Sequence, residues 1–220
     1  MGRLVDIATV LAALSAVLIA GIVTARQFNL GPPAEGRSVG FVENWRGYTE
    51  TSHRLGPDDA RITIVEWGDY ECPFCRSSAP HLSRAARRNP DLAVVYRHLP
   101  LPGHMVAYPA AIAAECAGNQ GRFWEYHDLL YSNDSWQSNQ GRGTGAFEEL
   151  AVLAGVQDLP VFLACIEEEA PAERISQDIA AASELALRST PSFLVNGEKF
   201  IGAMDSTRLA IILDGIGDGP

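Results

Sequence analysis

Apolar residues fill the start of the chain without interruption: positions 7–25 hold no charged side chain and are dominated by Leu, Val, Ile and Ala. That length approaches the roughly 20 residues that cross a hydrocarbon core and exceeds the about 7 to 15 of a cleavable signal. Residues 1–25 are therefore expected to form a membrane anchor, with a signal sequence cleaved after Val23-Thr24-Ala25 as the alternative. Either way the remainder is exported. Arg3 precedes the span while Arg26 and Arg37 follow it, so the flanking charges alone do not fix orientation. Residues 26–55 carry Gly31-Pro32-Pro33, Gly36, Gly40 and Gly47 with little periodicity, and read as a linker. Trp45 and Tyr48 could dock onto the domain that follows, and a partly ordered lead-in strand is the competing reading of this stretch.

Beyond the linker the apolar period alternates between strand and helix. Residues 61–67 are rich in β-branched positions and predict a buried strand ending at Gly68. Pro73 suits a first helical turn, and Ala79, Leu82, Ala85 and Ala86 carry the helix to its stop at Asn89-Pro90. Residues 92–96 form the next strand, so the order is βαβ, which calls for a parallel pair with a right-handed crossover. Helical patterns follow at 104–117, 122–131, 146–154, 160–168 and 172–188, an insertion of about 104–188 into an α/β core. A strand at 192–195, an Asn196-Gly197 hairpin turn, a strand at 199–201 and a helix at 206–213 close the chain.

Composition narrows the partners. With 47% hydrophobic residues, 20% charged residues and a formal net charge of −10, the 220-residue chain can build one substantial core. Phosphate contacts need clustered cations, and no long run of Lys or Arg is present, so nucleic acid is not an expected partner. His81, His98, His104 and His127 are spread without an evident ligand set and read mostly as surface or capping residues. Trp124, Tyr126 and Tyr131 recur at helical spacing and read as core packing.

Chemistry concentrates at Cys72-Pro73-Phe74-Cys75, where the first strand meets its helix. At a helix N-terminus the first thiol faces unpaired backbone N–H groups and the positive end of the dipole, which favour the reactive thiolate. Two intervening residues let Cys75 reach Cys72 and resolve a mixed disulfide without a cofactor. A static disulfide or half a zinc site would use the same spacing, but Cys116 and Cys165 lie 49 positions apart and supply no second close cysteine pair.

Gly68-Asp69-Tyr70-Glu71-Cys72-Pro73-Phe74-Cys75 and Ser189-Thr190-Pro191-Ser192-Phe193 together resemble the DsbA-like branch of the thioredoxin superfamily. Arg97-His98-Leu99-Pro100-Leu101, Ala113-Ala114-Glu115-Cys116-Ala117 and the segment 121–128 resemble that family's stretches around its helical insertion. The resemblance runs from about residue 56 to 213 and implies an α/β, thioredoxin-like fold with an inserted helical subdomain at 56–220, here preceded by a membrane-anchoring helix. It implies that the proline matching Pro191 is cis and faces the dithiol, and that Thr190 lines the place where substrate main chain pairs. Pro73 and Phe74 would shape the same surface.

Glu66 stands where such proteins carry a buried acid beneath the dithiol, which makes it a candidate proton relay for Cys75; an exposed strand-end carboxylate is the alternative. Phe74 departs from the family's strong oxidants, which place a His before the second cysteine. With Asp69 and Glu71 also close in sequence to Cys72, the expected thiolate is less extreme and the expected oxidant weaker. Cys116 and Cys165, left over in an exported protein, are expected to form a structural disulfide, with two inert buried thiols as the alternative. No metal or cofactor is expected.

The expected activity is oxidation of cysteine dithiols in exported protein substrates. A reductase or isomerase on the same scaffold, or a redox-silent binding or zinc module, are the alternatives. Oxidation needs a membrane partner to remove the electrons, and the resemblance implies one of the DsbB or vitamin K epoxide reductase type. The chain is expected to be a monomer held at the cell membrane with its catalytic domain on the extracytoplasmic side.

Overall fold

The computed structural model describes residues 38–134, 136–137 and 145–217. The expected anchor at 1–25 lies outside the described residues. Among the described residues no helix is long and apolar enough to cross a membrane.

The strands are β1 (Gly40–Phe41), β2 (His53–Leu55), β3 (Ile62–Gly68), β4 (Leu92–His98), β5 (Ser192–Val195) and β6 (Glu198–Ile201). They form one sheet in the order β1-β6-β5-β3-β4-β2. The helices are α1 (Pro73–Arg88), α2 (Ala107–Gly118), α3 (Phe123–Ser132), α4 (Gly145–Ala154), α5 (Leu159–Glu167), α6 (Ala172–Glu184) and α7 (Ser206–Gly217). β3 and β4 pair in parallel across the α1 connection, and β3 pairs antiparallel with β5. Every residue of β3 and β4 is buried, which is why both read in the sequence as continuous apolar runs rather than alternations.

The two faces of the sheet are still distinct. Ile62 and Ile64 join Leu82 of α1, Phe193, and Leu209 and Ile212 of α7 in one cluster. Val65 and Trp67 face the other way, into a cluster with Trp45, Ala182, Leu185 and Leu194. By strand alternation Glu66 therefore lies on the Ile62 and Ile64 face, the one that α1 covers. The helical insertion has its own core around Cys116, Tyr126, Leu130, Trp136 and Phe162, continuous with Tyr70, Cys72 and Cys75.

Several boundaries differ from the sequence reading, each for a physical reason. Residues 38–55 are not a free linker: Gly40 and Phe41 pair with Lys199 and Glu198, and His53 to Leu55 pair with β4. Trp45 is buried against the 196–197 turn, where a Cβ on Gly197 would meet Trp45 Cδ1 at 2.6 Å. The first insertion helix begins at Ala107 rather than 104, because the Glu71 carboxylate accepts from the N–H groups of Val106 (2.7 Å) and Ala107 (2.8 Å). A carboxylate brought from outside the helix thus fixes its start.

The helix expected over 172–188 stops at Glu184. Leu187 N–H bonds back to Ala182 O and Ala186 N–H to Ser183 O, a Schellman closure with Ala186 at φ 54° where glycine is usual. The last helix runs past 213 to Gly217.

His98 and His127 are buried, not surface residues as expected. His98 Nε2 lies 2.8 Å from Glu115 Oε1, and the same carboxylate meets His53 Nε2 at 3.0 Å and Arg174 Nε at 2.9 Å. Beside them, Arg97 pairs with Asp178 within a buried site, and the second Asp178 oxygen accepts from His98 N–H at 2.8 Å. These contacts fasten α2 and α6 to β4. Cys116 and Cys165 are joined by a disulfide that ties α2 to α5, with an S–S length of 1.99 Å.

Candidate active site

The site is assembled where β3 ends. Asp69 closes the turn out of the strand: its Oδ1 accepts from Glu71 N–H at 2.7 Å, and its main-chain oxygen accepts from Cys72 N–H at 3.0 Å. Cys72 is the N-cap of α1 and Pro73 its first helical residue, so proline's missing N–H costs the helix nothing. Phe74 is 61% exposed at the rim, whereas Cys72 and Cys75 are buried.

The two thiols are electrostatically unlike. Cys72 has its pKa lowered to about 5, first by the hydrogen bond from the Cys75 thiol, against an opposing effect of burial. Thr190 and the backbone N–H groups of Cys75 and Phe74 add to the lowering. Burial, followed by the hydrogen bond to Cys72, raises the Cys75 pKa strongly. At neutral pH the pair is therefore a thiolate at Cys72 and a thiol at Cys75. A value near 5 lies between the roughly 3.5 of the strongest known dithiol oxidant and the roughly 7 of thioredoxin.

The carboxylates of Asp69 and Glu71 do not act on Cys72 in the expected way. Asp69 Oδ2 accepts from Leu101 N–H and sits 2.7 Å from His104 Nδ1, and Glu71 is committed to the start of α2. Each negative charge is compensated by donors pointing at it. His104 is in turn held above the ordinary histidine pKa, with burial opposing and the Asp69 hydrogen bond leading the rise.

Glu66 is a buried carboxylate on the α1-covered face of β3 whose charge acts on Cys75. Burial, with the Cys72 charge as a second cause, raises its pKa to about 8. Its Oε1 has no hydrogen-bond partner among the described residues. At neutral pH this carboxyl holds a proton, as burial without a partner requires.

Thr190 and Pro191 approach from the other side through a cis peptide bond. The Cys72 thiol lies 3.3 Å from Thr190 O. Cys72, Cys75, Pro73, Phe74, Thr190 and Pro191 thus meet at one surface, with Glu66 beneath it. The Cys116–Cys165 bridge lies apart, in the insertion.

Sequence reasoning missed a polar network behind the dithiol. Tyr70 Oη lies 3.2 Å from His127 Nδ1, Tyr96 Oη lies 2.8 Å from Tyr131 Oη, and Tyr131 donates to Asp69 O at 3.2 Å. Burial pushes His127 down to about 3, so the ring is neutral and the network carries no net charge there. The helical spacing of Tyr131 pointed to the core, correctly, but nothing in it distinguishes a buried ring from a buried ring that also positions a turn.

Comparison with known proteins agrees with this geometry. The thioredoxin family model matches residues 48–215. The chain is 35% identical over 162 residues to a Na(+)/H(+) antiporter NhaA 1 of Salinispora arenicola, a match covering 73% of this chain and 24% of that protein. It thus spans about a quarter of the length of the curated relatives it matches.

Among solved structures, DsbA2 of Pseudomonas aeruginosa is 30% identical, with a TM-score of 0.59 over 74% of this chain and 92% of that one. Oxidised BdbD of Bacillus subtilis is 21% identical, with a TM-score of 0.69 over 83% of this chain and 99% of that one, a likeness of fold. With a family match over most of its length and a dithiol at the expected strand-to-helix junction, the chain belongs to the thioredoxin family and is DsbA-like within it.

Proposed function

We propose that this protein oxidises cysteine dithiols in exported protein substrates. The observation that carries the reading is the asymmetry of the pair: a stabilised Cys72 thiolate beside a Cys75 thiol held protonated. A dithiol whose reduced form keeps a stabilised thiolate is a good leaving group and a willing electron acceptor.

In the oxidising direction a substrate thiolate attacks Cys72 of the Cys72–Cys75 disulfide. A substrate–Cys72 mixed disulfide forms and Cys75 leaves as a thiolate. Glu66, protonated at neutral pH and close enough to influence Cys75, supplies the proton. The second substrate thiolate then attacks the substrate sulfur, so a substrate disulfide forms and Cys72 leaves as its stabilised thiolate. Two electrons have moved from substrate to enzyme. Pro191 and Thr190 align the substrate strand, and Pro73 and Phe74 shape its approach.

Turnover requires an acceptor for those electrons, a membrane redox partner of the DsbB or vitamin K epoxide reductase type. Residues 1–25 would hold the domain at the membrane, with residues 56–220 on the extracytoplasmic side and the protein acting as a monomer. The Cys116–Cys165 bridge would be structural and survive turnover.

The test is the equilibrium of the full chain with glutathione, with Cys72→Ser as control. A potential well above that of thioredoxin, with the reduced form more stable than the oxidised, is expected. A thioredoxin-like potential would assign the scaffold to reduction instead, and absence of exchange would remove both readings.

A further inference from the structure

Among the described residues the acidic chain carries a concentrated basic face on α1, the helix that begins at the dithiol. A cleft of about 420 Å³ runs between α1 and α3. Arg76, Arg84, Arg87 and Arg88 line it, with Ala79 and Tyr131 on its floor. Asp128 is the one carboxylate on its walls, and it is occupied by Arg87 at 2.9 Å and by the Ser83 hydroxyl at 2.8 Å. Against a formal net charge of −10 for the whole chain, this leaves Arg76, Arg84 and Arg88 without a compensating carboxylate in the cleft. Arg76 follows Cys75 directly, and its Nη2 is buried with no hydrogen-bond partner among the described residues. A buried guanidinium donor in that state favours an incoming carboxylate.

Shape selects among anions. From Arg76 to Arg88 the helix face rises by roughly 18 Å, a span of roughly five extended residues. A compact anion would engage one end of it and leave the apolar floor uncovered.

We propose that this cleft is an exosite for an acidic, extended peptide segment of the protein substrate, its carboxylates on Arg76, Arg84 and Arg88 and an apolar side chain over Ala79 and Tyr131. The inference rests on the proposed exchange activity and adds a substrate class to it. The segment bound there lies outside the cysteine-pairing surface at Thr190 and Pro191, so the exosite raises the encounter rate and residence of acidic substrates without touching the reacting sulfurs.

The test separates binding from chemistry. The full chain is titrated with a labelled, cysteine-free peptide of alternating Glu and Leu, and with its Gln counterpart, by fluorescence anisotropy. The Glu peptide is expected to bind on the order of ten-fold tighter, and salt at about 0.5 M should remove most of the difference.

The double variant Arg84→Gln with Arg88→Gln, at two exposed positions, should abolish the preference. Cysteine-bearing versions of the two peptides should show a matching loss in kcat/KM for the acidic one alone, with glutathione exchange unchanged. Equal binding of the two peptides, or a preference that survives in the double variant, would overturn the proposal. So would arginine-dependent binding of inorganic phosphate or of phosphatidylglycerol vesicles with no peptide preference. Failure of exchange with intact peptide discrimination would instead count against the proposed function and leave the exosite standing.

Discussion

The Cys72 thiol and the main-chain oxygen of Thr190 lie 3.3 Å apart, although 118 residues separate them in the chain. The reactive sulfur is therefore controlled from the far end of the domain as well as from its own helix. Thr190→Val leaves that main-chain oxygen in place and removes the side-chain hydroxyl, and it should raise the Cys72 pKa from about 5, since the Thr190 side chain is one of the groups that lower it. A rise of up to about one unit is expected for the loss of a hydroxyl dipole beside a charged sulfur. Thiolate absorbance against pH measures it, and an unmoved midpoint would remove Thr190 from the account.

Phe74 is exposed beside the thiolate and offers neither charge nor donor. Phe74→His should lower the Cys72 midpoint and make the dithiol more oxidising, by on the order of ten-fold in the glutathione equilibrium constant, because a cationic ring stabilises the thiolate of the reduced form. A variant with the parent's equilibrium constant would show that the position does not set the potential.

Glu66 gives the stability curve a definite sign. Its folded pKa, about 8, lies above the ordinary 4.5, so its contribution to stability is fully present below pH 4.5 and is lost as pH rises through 8. The loss should reach a few kcal/mol, and Glu66→Gln should abolish it. In the reduced protein Cys72 acts oppositely: its stabilising effect is present above pH 9 and is lost as pH falls through about 5. The comparison is therefore made on the oxidised protein, where the Cys72 charge is gone and burial alone raises Glu66, by denaturant unfolding at pH 5 and pH 8. Parallel curves for parent and variant would mean that Glu66 is not charged in this window.

Asp178 joins Arg97 and the His98 N–H within the core. Asp178→Ala leaves a buried guanidinium unpaired and should cost about 3 to 5 kcal/mol. Chemical denaturation gives the value; a cost below about 1 kcal/mol would mean that water reaches Arg97 freely.

Replacing Cys116 and Cys165 together by Ala opens a connection between residues 49 positions apart. Unfolding stability should fall by about 2 to 4 kcal/mol while the glutathione equilibrium of Cys72 and Cys75 stays in place. A change in that equilibrium would place the second pair in the electron path.

What the sequence made legible was whatever local pattern determines. The β-branched run 62–68, the Pro73 start of α1 and the Asn196-Gly197 hairpin turn are determined by their own residues, and they appear within a residue or two of the expected places. Less legible were features set by partners remote in the chain. Nothing near residue 107 announces that Glu71 will cap that helix, and Ala186 adopts a conformation for which glycine is the usual signal. His98 and His127 look like surface residues until β4, α2 and α3 enclose them. Trp45 and β2 were readable only as possibilities because their partners, the 196–197 turn and β4, come much later. The dithiol, by contrast, is a local motif at a local junction, and its exchange chemistry can be read there even though Thr190 and Glu66 tune it from elsewhere in the chain.

The seating of residues 38–49 bears on how the domain withstands mechanical load. Val39 N–H bonds to Lys199 O, Val42 N–H to Gly197 O, and Trp45 is buried over the turn between them. A pull arriving at Ser38 from upstream is met first by these hydrogen bonds and by the buried indole, at the β1–β6 edge of the sheet. The 195–197 turn lies beside the start of β3 and the dithiol follows its end, so the reactive sulfurs do not share this fastening.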